Sequence, residues 1–385
     1  MRPAPHRDFD AIVVGLGGLG SAAVYWASRR AGLRVLGLEQ FTMDHDFGAS
    51  RDHSRIIRLS HPSRHYIRLA RRAFETWAEL EAEAGAGIVT RTGGLDLAPS
   101  SADPGVEAHA AAMSAEGVRF ERLDAGEVRR RWPPWRPMDG DMGLFSPEAG
   151  IVDPDRANAA HRRLARERGA TLLEETPVTA LREIDGGVEV IADGVPYRAP
   201  RVILATAAWT HRLIEPLDIR LPLRVTQEQV TYFAAARPED FAPDRFPIWI
   251  WHGAPSFYGF PTYGENGPKA AEHLGGREVT VDTRTFEPDA AASARLRAFI
   301  AGRLPGALGP DIVTKTCLYT LTPDEDFILG PLSDHPAISL AIGCGHGFKF
   351  ASLIGRILTE LAIDGSTPSA GEIEAFRADR PALRA

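Results

Sequence analysis

The chain has 385 residues, of which 44% are hydrophobic and 25% are charged, a composition typical of a globular protein with one large or two modest domains. A formal net charge of -7 and a pI of about 6.0 argue against nucleic acid as a partner. We interpret the arginine run 129–131 as a solvated helix face. The two cysteines, Cys317 and Cys344, are too few for a disulfide framework, so we expect a cytoplasmic protein.

The N-terminal pattern predicts a strand, a tight turn, a helix and a second strand. The apolar run Ala11–Val14 is typical of a buried parallel strand, and the helix and second strand are predicted over 18–30 and 34–38. The uncharged stretch 11–28 contains four glycines and follows no basic segment, so we predict neither a membrane span nor a signal peptide.

The rest of the chain alternates between helical and strand-like patterns. The predicted elements are, in order, a long amphipathic helix at 63–83, a turn-rich and strand-like region at 88–149, a helix at 155–168, strands at 171–173 and 201–205, a largely antiparallel sheet between about 219 and 322, a strand at 338–343 and a helix at 348–363. We expect the strand at 201–205 to return to the first sheet and Gly365 to close the last helix.

The turn after the first predicted strand carries the pattern G-x-G-x-x-G. Gly15 is expected to make the tight turn, Gly17 to let the backbone approach a pyrophosphate, and Gly20 to let the helix pack against the strand. The free N–H groups at the start of the helix favour an anion, and Glu39, which closes the second strand, is expected to accept ribose hydroxyl groups. This context predicts a dinucleotide site.

NAD and FAD share this pattern, and the position of the motif near the N-terminus favours FAD, while Glu39 disfavours NADP. We therefore predict an α/β (α+β) fold, with a Rossmann-like FAD-binding domain and an interleaved, largely antiparallel β-sheet substrate domain. The FAD-binding domain is predicted to comprise 1–85, 150–218 and 323–385, and the substrate (catalytic) domain 86–149 and 219–322. Ligand and chemistry are expected between the two.

Five stretches, in one order along the chain, resemble the monomeric sarcosine oxidase family, which includes N-methyltryptophan and pipecolate oxidases. They are the N-terminal unit, GASRDHSRIIR (48–58), YGFPTYGENGPKAAEH (258–273), TKTCLYTLTPDEDFILG (314–330) and GCGHGFKF (343–350). The resemblance covers nearly the whole chain. It implies an FAD-dependent oxidation of a secondary amino acid, in which O2 reoxidises the flavin and gives hydrogen peroxide.

The resemblance also implies roles for five residues of the catalytic site. Arg58 and Lys349 match the two cations that hold the substrate carboxylate, one as a planar fork and the other as a point charge. Lys269 matches the lysine near flavin N5 that activates oxygen by electrostatic stabilisation. Tyr258 and His273 match pocket residues that contact the substrate.

For the cofactor, the resemblance implies a covalent bond from Cys317 to the flavin, because a thiolate is a strong nucleophile. Ser54 and Arg55 match a pair that flanks the flavin ring, and the turn 343–350 is expected to bring N–H groups to its pyrimidine edge. The predicted cofactor-binding residues are Gly15, Gly17, Gly18, Leu19, Gly20, Glu39, Gln40, Ser50, Ser54, Arg55, Arg58, Val178, Cys317, Gly345, His346, Gly347, Phe348 and Lys349.

Two positions depart from the family pattern. Residues 50–53 read Ser-Arg-Asp-His where the family usually has a Ser-His-Gly sequence, and Ala207 stands where glycine is common. Trp249 and Trp251 are expected on one face of a strand near the pocket. If they line the pocket, a substrate other than sarcosine is favoured.

Three other functions stay open on the sequence. They are a dehydrogenase of the same fold that passes electrons to a quinone or carrier protein, a non-catalytic nucleotide-binding protein, and a metal enzyme built on His45, His53, His61 and His65. These histidines lack the spacing of a metal site, so we predict no metal. The expected partners are a small secondary amino acid and O2, with no nucleic acid and no membrane, and the protein is expected to be a monomer.

Overall fold

A computed structural model describes residues 7–100 and 105–384, so the parts of the predicted domains at 1–6, 101–104 and 385 lie outside the described residues. The helices are α1 (Gly18–Ser28), α2 (Arg64–Ala84), α3 (Glu107–Ala115), α4 (Ala125–Arg131), α5 (Pro154–Glu167), α6 (Thr210–Ile214), α7 (Ala290–Arg303), α8 (Ala351–Thr359) and α9 (Ala370–Ile373). The first strands are β1 (Ala11–Val14), β2 (Val35–Leu38), β3 (Arg55–Arg58), β4 (Val89–Arg91), β5 (Gly94–Ala98), β6 (Glu121–Asp124), β7 (Met142–Ser146), β8 (Ala149–Val152), β9 (Thr171–Leu173), β10 (Val178–Ile184), β11 (Gly187–Ala192) and β12 (Val195–Ala199). The later strands are β13 (Val202–Leu204), β14 (Arg224–Phe233), β15 (Ile248–Trp251), β16 (Phe257–Thr262), β17 (Pro268–Glu272), β18 (Arg277–Glu278), β19 (Asp311–Leu321), β20 (Ile328–Pro331) and β21 (Ile338–Ile342).

One sheet has the strand order β9-β2-β1-β13-β21-β20. All its pairs are parallel except β20 with β21, and this is the order of a Rossmann-like sheet with one antiparallel strand at its edge. β1, β2 and β13 are buried along their whole length, and α1 packs against α5 and α8. The predicted βαβ unit and the return of the strand near residue 201 to the first sheet are confirmed.

A second large sheet runs β18-β14-β17-β16-β15-β5-β7-β6, with β19 paired to β14. Its pairs are antiparallel apart from the parallel pair of β5 and β15. The predicted antiparallel sheet between 219 and 322 is therefore present, and it also takes in strands from 94–146. The predicted domain boundaries stay a prediction.

Several elements were not predicted. The region at 88–149 contains α3 and α4 as well as strands, the region at 219–322 contains α7, and β10–β12 form a separate antiparallel sheet. In α7 only Ala292, Leu296 and Ile300 are buried, so a single line of apolar residues separated by four faces the core and gives a weak periodic signal. The arginine run 129–131 lies at the exposed end of α4, as the interpretation of a solvated helix face requires.

The last predicted helix is wrong at its start. A 3-10 turn covers Gly347–Phe350, α8 begins at Ala351, and a π-helical turn follows at Glu360–Asp364. The indole of Trp77 donates to the carbonyl of Lys349 at 2.8 Å, which gives that carbonyl a partner outside the helix. Gly365 has φ of +73° and closes the helix as expected. Within the described ranges, no helix combines the length and the apolar character that crossing a membrane requires.

Candidate active site

Two cavities adjoin at the loop 48–51. The first cavity, of about 370 Å³, is lined by the glycine loop after β1 and by the end of β2. The second cavity, of about 990 Å³, is lined by strands of the large sheet and by the turn after β21. Residues 48–51 and Gly17 line both, so the two cavities together form an extended cleft around this loop. Both volumes fall in the range of small-molecule sites.

The structure brings the predicted site residues together in these cavities, with the exception of Gly20. The first cavity is lined by Gly15, Gly17, Glu39, Gln40, Ser50 and Val178. The second is lined by Gly17, Gly18, Leu19, Ser50, Ser54, Arg55, Arg58, Tyr258, Lys269, His273, Cys317, Gly345, His346, Gly347, Phe348 and Lys349.

Gly20 acts through packing rather than as part of a cavity wall. A Cβ atom at Gly20 would lie 1.7 Å from the carbonyl oxygen of Gly15, so only glycine lets α1 start this close to the loop. A Cβ at Gly18 would lie 2.6 Å from the ring of Phe348, and the N–H of Gly18 donates to Ser50 Oγ at 2.9 Å. The glycine loop, the loop 48–51 and the turn after β21 are therefore in direct contact.

Glu39 fixes the glycine loop as well as facing the first cavity. Its Oε2 accepts from the N–H of Leu16 at 2.8 Å and its Oε1 accepts from the N–H of Phe41 at 3.2 Å. Burial alone would raise the pKa of Glu39, but hydrogen bonds from His45 and the N–H of Leu16 lower it below its ordinary value. A carboxylate held in this way stays ionised, as an acceptor for ribose hydroxyl groups should be.

Lys349 is a buried basic residue whose side chain contacts a carbonyl but no carboxylate of the described residues. It is 6% exposed, and its ammonium donates to the carbonyl of His346 at 3.0 Å. No carboxylate of the described residues lies within ion-pair distance of it. Burial first, and then the charge of Arg58, lower the pKa of Lys349 well below its ordinary value. An anionic ligand would stabilise the charged form.

Arg58 differs from Lys349 because it has a carboxylate partner. Its guanidinium donates to Asp96 Oδ1 at 2.8 Å, and His252 Nε2 lies 2.7 Å from the same oxygen. Burial would raise the pKa of Asp96, but Arg58 and His252 hold it well below the ordinary range, so the carboxylate is ionised. The predicted pair of substrate cations is thus one ammonium without a carboxylate partner among the described residues and one guanidinium that is already paired.

Lys269 is buried within a cluster of charges. It is 2% exposed, lies on β17, and donates to Asp52 Oδ2 at 2.8 Å and to the carbonyl of Ser54 at 2.9 Å. Lys269 is therefore not a solvated loop residue. Burial lowers the pKa of Lys269 to about 8, against the opposing effect of Asp52.

The register of the large sheet sets which side chains face the second cavity. Tyr258 pairs with Ala271, and Lys269 and His273 lie two residues before and after that position, so all three point to the same face. The rings of Tyr258 and His273 are 6.3 Å apart, and burial lowers the pKa of His273 to about 4. Burial raises the pKa of the Cys317 thiol to about 11, and the nearby charge of Arg55 opposes this rise.

Trp249 and Trp251 do not line the second cavity, because they lie on the opposite face of β15 from Ile250, which does. Both pack in a hydrophobic cluster with Phe299 of α7. The two tryptophans share one face of the strand as expected, but the condition for an effect on substrate choice, that they line the pocket, is not met. The pocket-facing positions of this segment are Ile250 and His252.

Both departures from the family pattern have unusual backbone angles. Asp52 has φ of +123° and Ala207 has φ of +44°, conformations that favour glycine. The sequence reasoning noted both positions but missed the role of Asp52 as the partner of Lys269. It also missed Asp96, for which a signal existed, because an aspartate interrupts the otherwise apolar and buried strand β5.

One group of potential metal ligands occurs among the described residues. Ligand atoms of Asp96, His109 and His252 lie within 4.8 Å of one another. Because Arg58 already donates to Asp96, a metal ion there would lie beside a guanidinium charge. The four histidines considered from the sequence are not part of this group.

The family model described as FAD dependent oxidoreductase (DAO) matches residues 10–361, and the chain belongs to this family. It is 31% identical over 383 residues to monomeric sarcosine oxidase of Arthrobacter sp. (strain TE1826), with 98% of each chain covered. It is 32% identical over 379 residues to N-methyl-L-tryptophan oxidase of Salmonella arizonae, covering 97% of this chain and 99% of the relative. The resemblance to the sarcosine oxidase family and the prediction of an FAD-dependent enzyme are confirmed.

The fold also matches a solved structure of NikD, an unusual amino acid oxidase essential for nikkomycin biosynthesis. The TM-score is 0.84 at 27% identity, and the match covers 95% of this chain and 97% of that one. The predicted α/β class is confirmed. The residues of the two cavities fit FAD, because the glycine loop and Glu39 line one end of a cleft whose other end holds the charged side chains.

Proposed function

We propose that the protein is an oxidase of a small secondary amino acid, either N-methylated or cyclic. The substrate loses a hydride equivalent from the carbon next to nitrogen and a proton from nitrogen. FAD, when bound, accepts the hydride equivalent and passes its two electrons to O2, which takes two protons and becomes hydrogen peroxide. The resulting imine hydrolyses in water. The family relationship and the names of the relatives support this reaction.

The observation that carries the proposal is a pair of cations, the buried Lys349 and the partly buried Arg58, in a cavity that adjoins the dinucleotide end of the cleft. Lys349 has an ammonium that lacks a carboxylate within the described ranges, whereas Arg58 is paired with Asp96. Lys349 therefore supplies most of the charge for the substrate carboxylate, and Arg58 supplies directional hydrogen bonds.

No strong base is required if the amine binds in its neutral form. The pKa of His273, lowered by burial to about 4, makes its imidazole neutral and weakly basic near pH 7. We assign His273 and Tyr258 to positioning the substrate. Lys269 is assigned to the reaction with oxygen, where a fixed cation stabilises the charge that develops on O2 as it is reduced.

The remaining parts of the proposal concern the cofactor and the state of the protein. Cys317 is proposed as the covalent attachment point, with Arg55 favouring its thiolate. Ser54 and Arg55 are proposed to flank the flavin ring. We also propose a cytoplasmic monomer with the domain division predicted from the sequence.

The experiment that tests the reaction is anaerobic mixing of the yellow protein with a panel of N-methyl and cyclic secondary amino acids. Flavin bleaching that reverses in air, with peroxide formed, is the expected result. Bleaching that persists in air would identify a dehydrogenase that uses another electron acceptor. A flavin that no member of the panel bleaches would contradict the proposed substrate class.

Acid precipitation tests the covalent bond separately. A yellow pellet is expected from the wild type, and a yellow supernatant from Cys317→Ser. A yellow supernatant from both would show that the flavin is held without a covalent bond.

A further inference from the structure

The strongest unexplained feature of the site is the carboxylate of Asp52. It is 6% exposed and accepts hydrogen bonds from Lys269 Nζ at 2.8 Å, Tyr232 Oη at 2.7 Å and Lys315 Nζ at 3.3 Å. A nitrogen of Arg55 lies 3.6 Å away. A single carboxylate thus faces three cations at the wall of the second cavity.

The backbone at this position is strained. With φ of +123°, Asp52 occupies a conformation that glycine adopts readily and other residues rarely adopt. Glycine would relieve the strain but would lose the carboxylate. A charged residue in a strained conformation, in direct contact with a buried lysine, points to a role for its charge.

We propose that Asp52 is a positioning residue that keeps the ammonium of Lys269 protonated and fixed in place for the reaction with oxygen. This inference rests on the proposed function, which assigns the oxygen reaction to Lys269. Asp52 and the carbonyl of Ser54 accept two of the three ammonium hydrogens, so the orientation of Lys269 Nζ is set by two fixed oxygens.

The surrounding charges explain why a carboxylate is needed. The titratable and charged groups that face Lys269 are Asp52, Arg55, Tyr232, Lys315 and Cys317. Burial lowers the pKa of Lys269 to about 8, and the other cations, Arg55 and Lys315, act in the same direction. Asp52 opposes these effects. Without Asp52, this balance would favour the neutral amine at physiological pH.

A chain of contacts continues from Asp52 towards solvent. Lys315 also donates to Glu265 at 3.2 Å, and His53 lies 3.2 Å from the same carboxylate. Side-chain exposure rises from 2% at Lys269 and 7% at Asp52 to 34% at Lys315. Lys315 and Glu265 thus extend the charge cluster around Lys269 from Asp52 to the protein surface.

The test compares Asp52→Asn and Asp52→Gly with the wild type. After anaerobic reduction of the flavin by substrate, reoxidation in air-saturated buffer is timed from pH 6 to 9.5. The wild-type rate is expected to fall as pH rises through about 8. Both variants should show this fall at least about one pH unit lower, which is a reaction about fivefold slower at pH 8 and about tenfold slower at pH 9.

A second readout needs no turnover. The visible absorption of the oxidised flavin is recorded over the same pH range. In both variants, the pH at which the absorption change is half complete should be lower, as for the reoxidation rate. Tyr232→Phe is the matched control, because it removes a hydrogen bond from Asp52 without removing charge. It should move the midpoint less than Asp52→Asn. The two Asp52 variants should shift the midpoint equally, because both remove the carboxylate. Only Asp52→Gly relieves the strained backbone, so equal shifts show that the charge, and not the strain, sets the midpoint.

Lys269→Met separates this inference from the proposed function. If Lys269→Met slows reoxidation and Asp52→Asn adds nothing in the double variant, Asp52 acts through Lys269. If Lys269→Met slows reoxidation but both Asp52 variants keep the wild-type pH profile, the inference alone is overturned. Faster reoxidation of Asp52→Asn at every pH would also overturn it, because Asp52 would then only weaken the charge of Lys269. Normal reoxidation of Lys269→Met would overturn both.

Discussion

The two cavities of the cleft are constructed in different ways. The glycine-loop end of the first depends on backbone groups and one carboxylate that lie close together in sequence, between Gly15 and Glu39, and segments as far as Leu213 complete its wall. The second depends on charged side chains that come from separate segments and carry different counter-charges. Arg58 is paired with Asp96, Lys269 is paired with Asp52, and Lys349 contacts a carbonyl. Cations that look equivalent in the sequence are therefore not equivalent in the site.

Replacement of Lys349 should have the largest effect. Lys349→Met removes the ammonium that has no carboxylate partner within the described ranges, so kcat/KM for an amino acid substrate should fall about a thousandfold, which corresponds to ~4 kcal/mol. Steady-state kinetics checks this value. A secondary amine that lacks the carboxylate is the control substrate and should be affected far less. An equal loss for both substrates would contradict carboxylate binding by Lys349.

Replacement of the paired cation should affect folding as well as binding. Arg58→Gln leaves the buried carboxylate of Asp96 without its guanidinium, so the free energy of unfolding should fall by about 3 kcal/mol. Denaturant unfolding measures the change. The double variant Arg58→Gln/Asp96→Asn should regain most of the stability but not the substrate affinity. If the double variant is no more stable than Arg58→Gln, the pairing does not explain the loss.

A single methyl group added at Gly20, beside the first cavity, should reduce both stability and FAD binding. Gly20→Ala places a methyl group against the carbonyl of Gly15, so we expect a loss of about 2 to 3 kcal/mol in stability and a purified protein with little bound FAD. The ratio of absorbance at flavin and protein wavelengths measures the amount of bound FAD per protein. Gly302→Ala is the matched control, since a Cβ there meets no atom within 4 Å. Normal flavin content in Gly20→Ala would show that the loop can move.

The smallest effect should appear in the dependence of stability on pH. His161 of α5 is fully buried with its Nε2 at 3.4 Å from Ser352 Oγ, and burial, with a smaller effect of Arg162, lowers its pKa to about 3. The unfolded chain binds a proton below about pH 6.5 that the folded chain does not, so the stability is present above that pH and is lost as pH falls towards 3. Between pH 7 and 5 this single histidine should account for about 2 kcal/mol.

His161→Gln tests this sign and size. Unfolding free energies of the variant should decrease less between pH 7 and 5 than those of the wild type. Parallel curves for the two proteins would show that His161 does not contribute to the acid sensitivity.

Local patterns were sufficient where the structure depends on neighbours in sequence. The strand, glycine turn and helix at the N-terminus follow from the apolar run Ala11–Val14 and from glycines at fixed spacing. Elements that bury few apolar residues, such as α7, were missed. Only three residues of α7 are buried, so its sequence shows little helical periodicity. The start of α8 was misplaced because a 3-10 turn at 347–350 precedes it, where a distant tryptophan, Trp77, donates to the carbonyl of Lys349.

By itself, the sequence determined the dinucleotide-binding unit, the α/β class, the resemblance to an oxidase family and the identity of many of the residues that line the cleft. Only the tertiary structure decided which charge each cation meets, that Trp249 and Trp251 face away from the cavity, and that Asp52 contacts Lys269. The physical reason is distance along the chain. Asp52 and Lys269 are 217 residues apart, and the strength of an ion pair depends on separation and burial in space, neither of which a local pattern records.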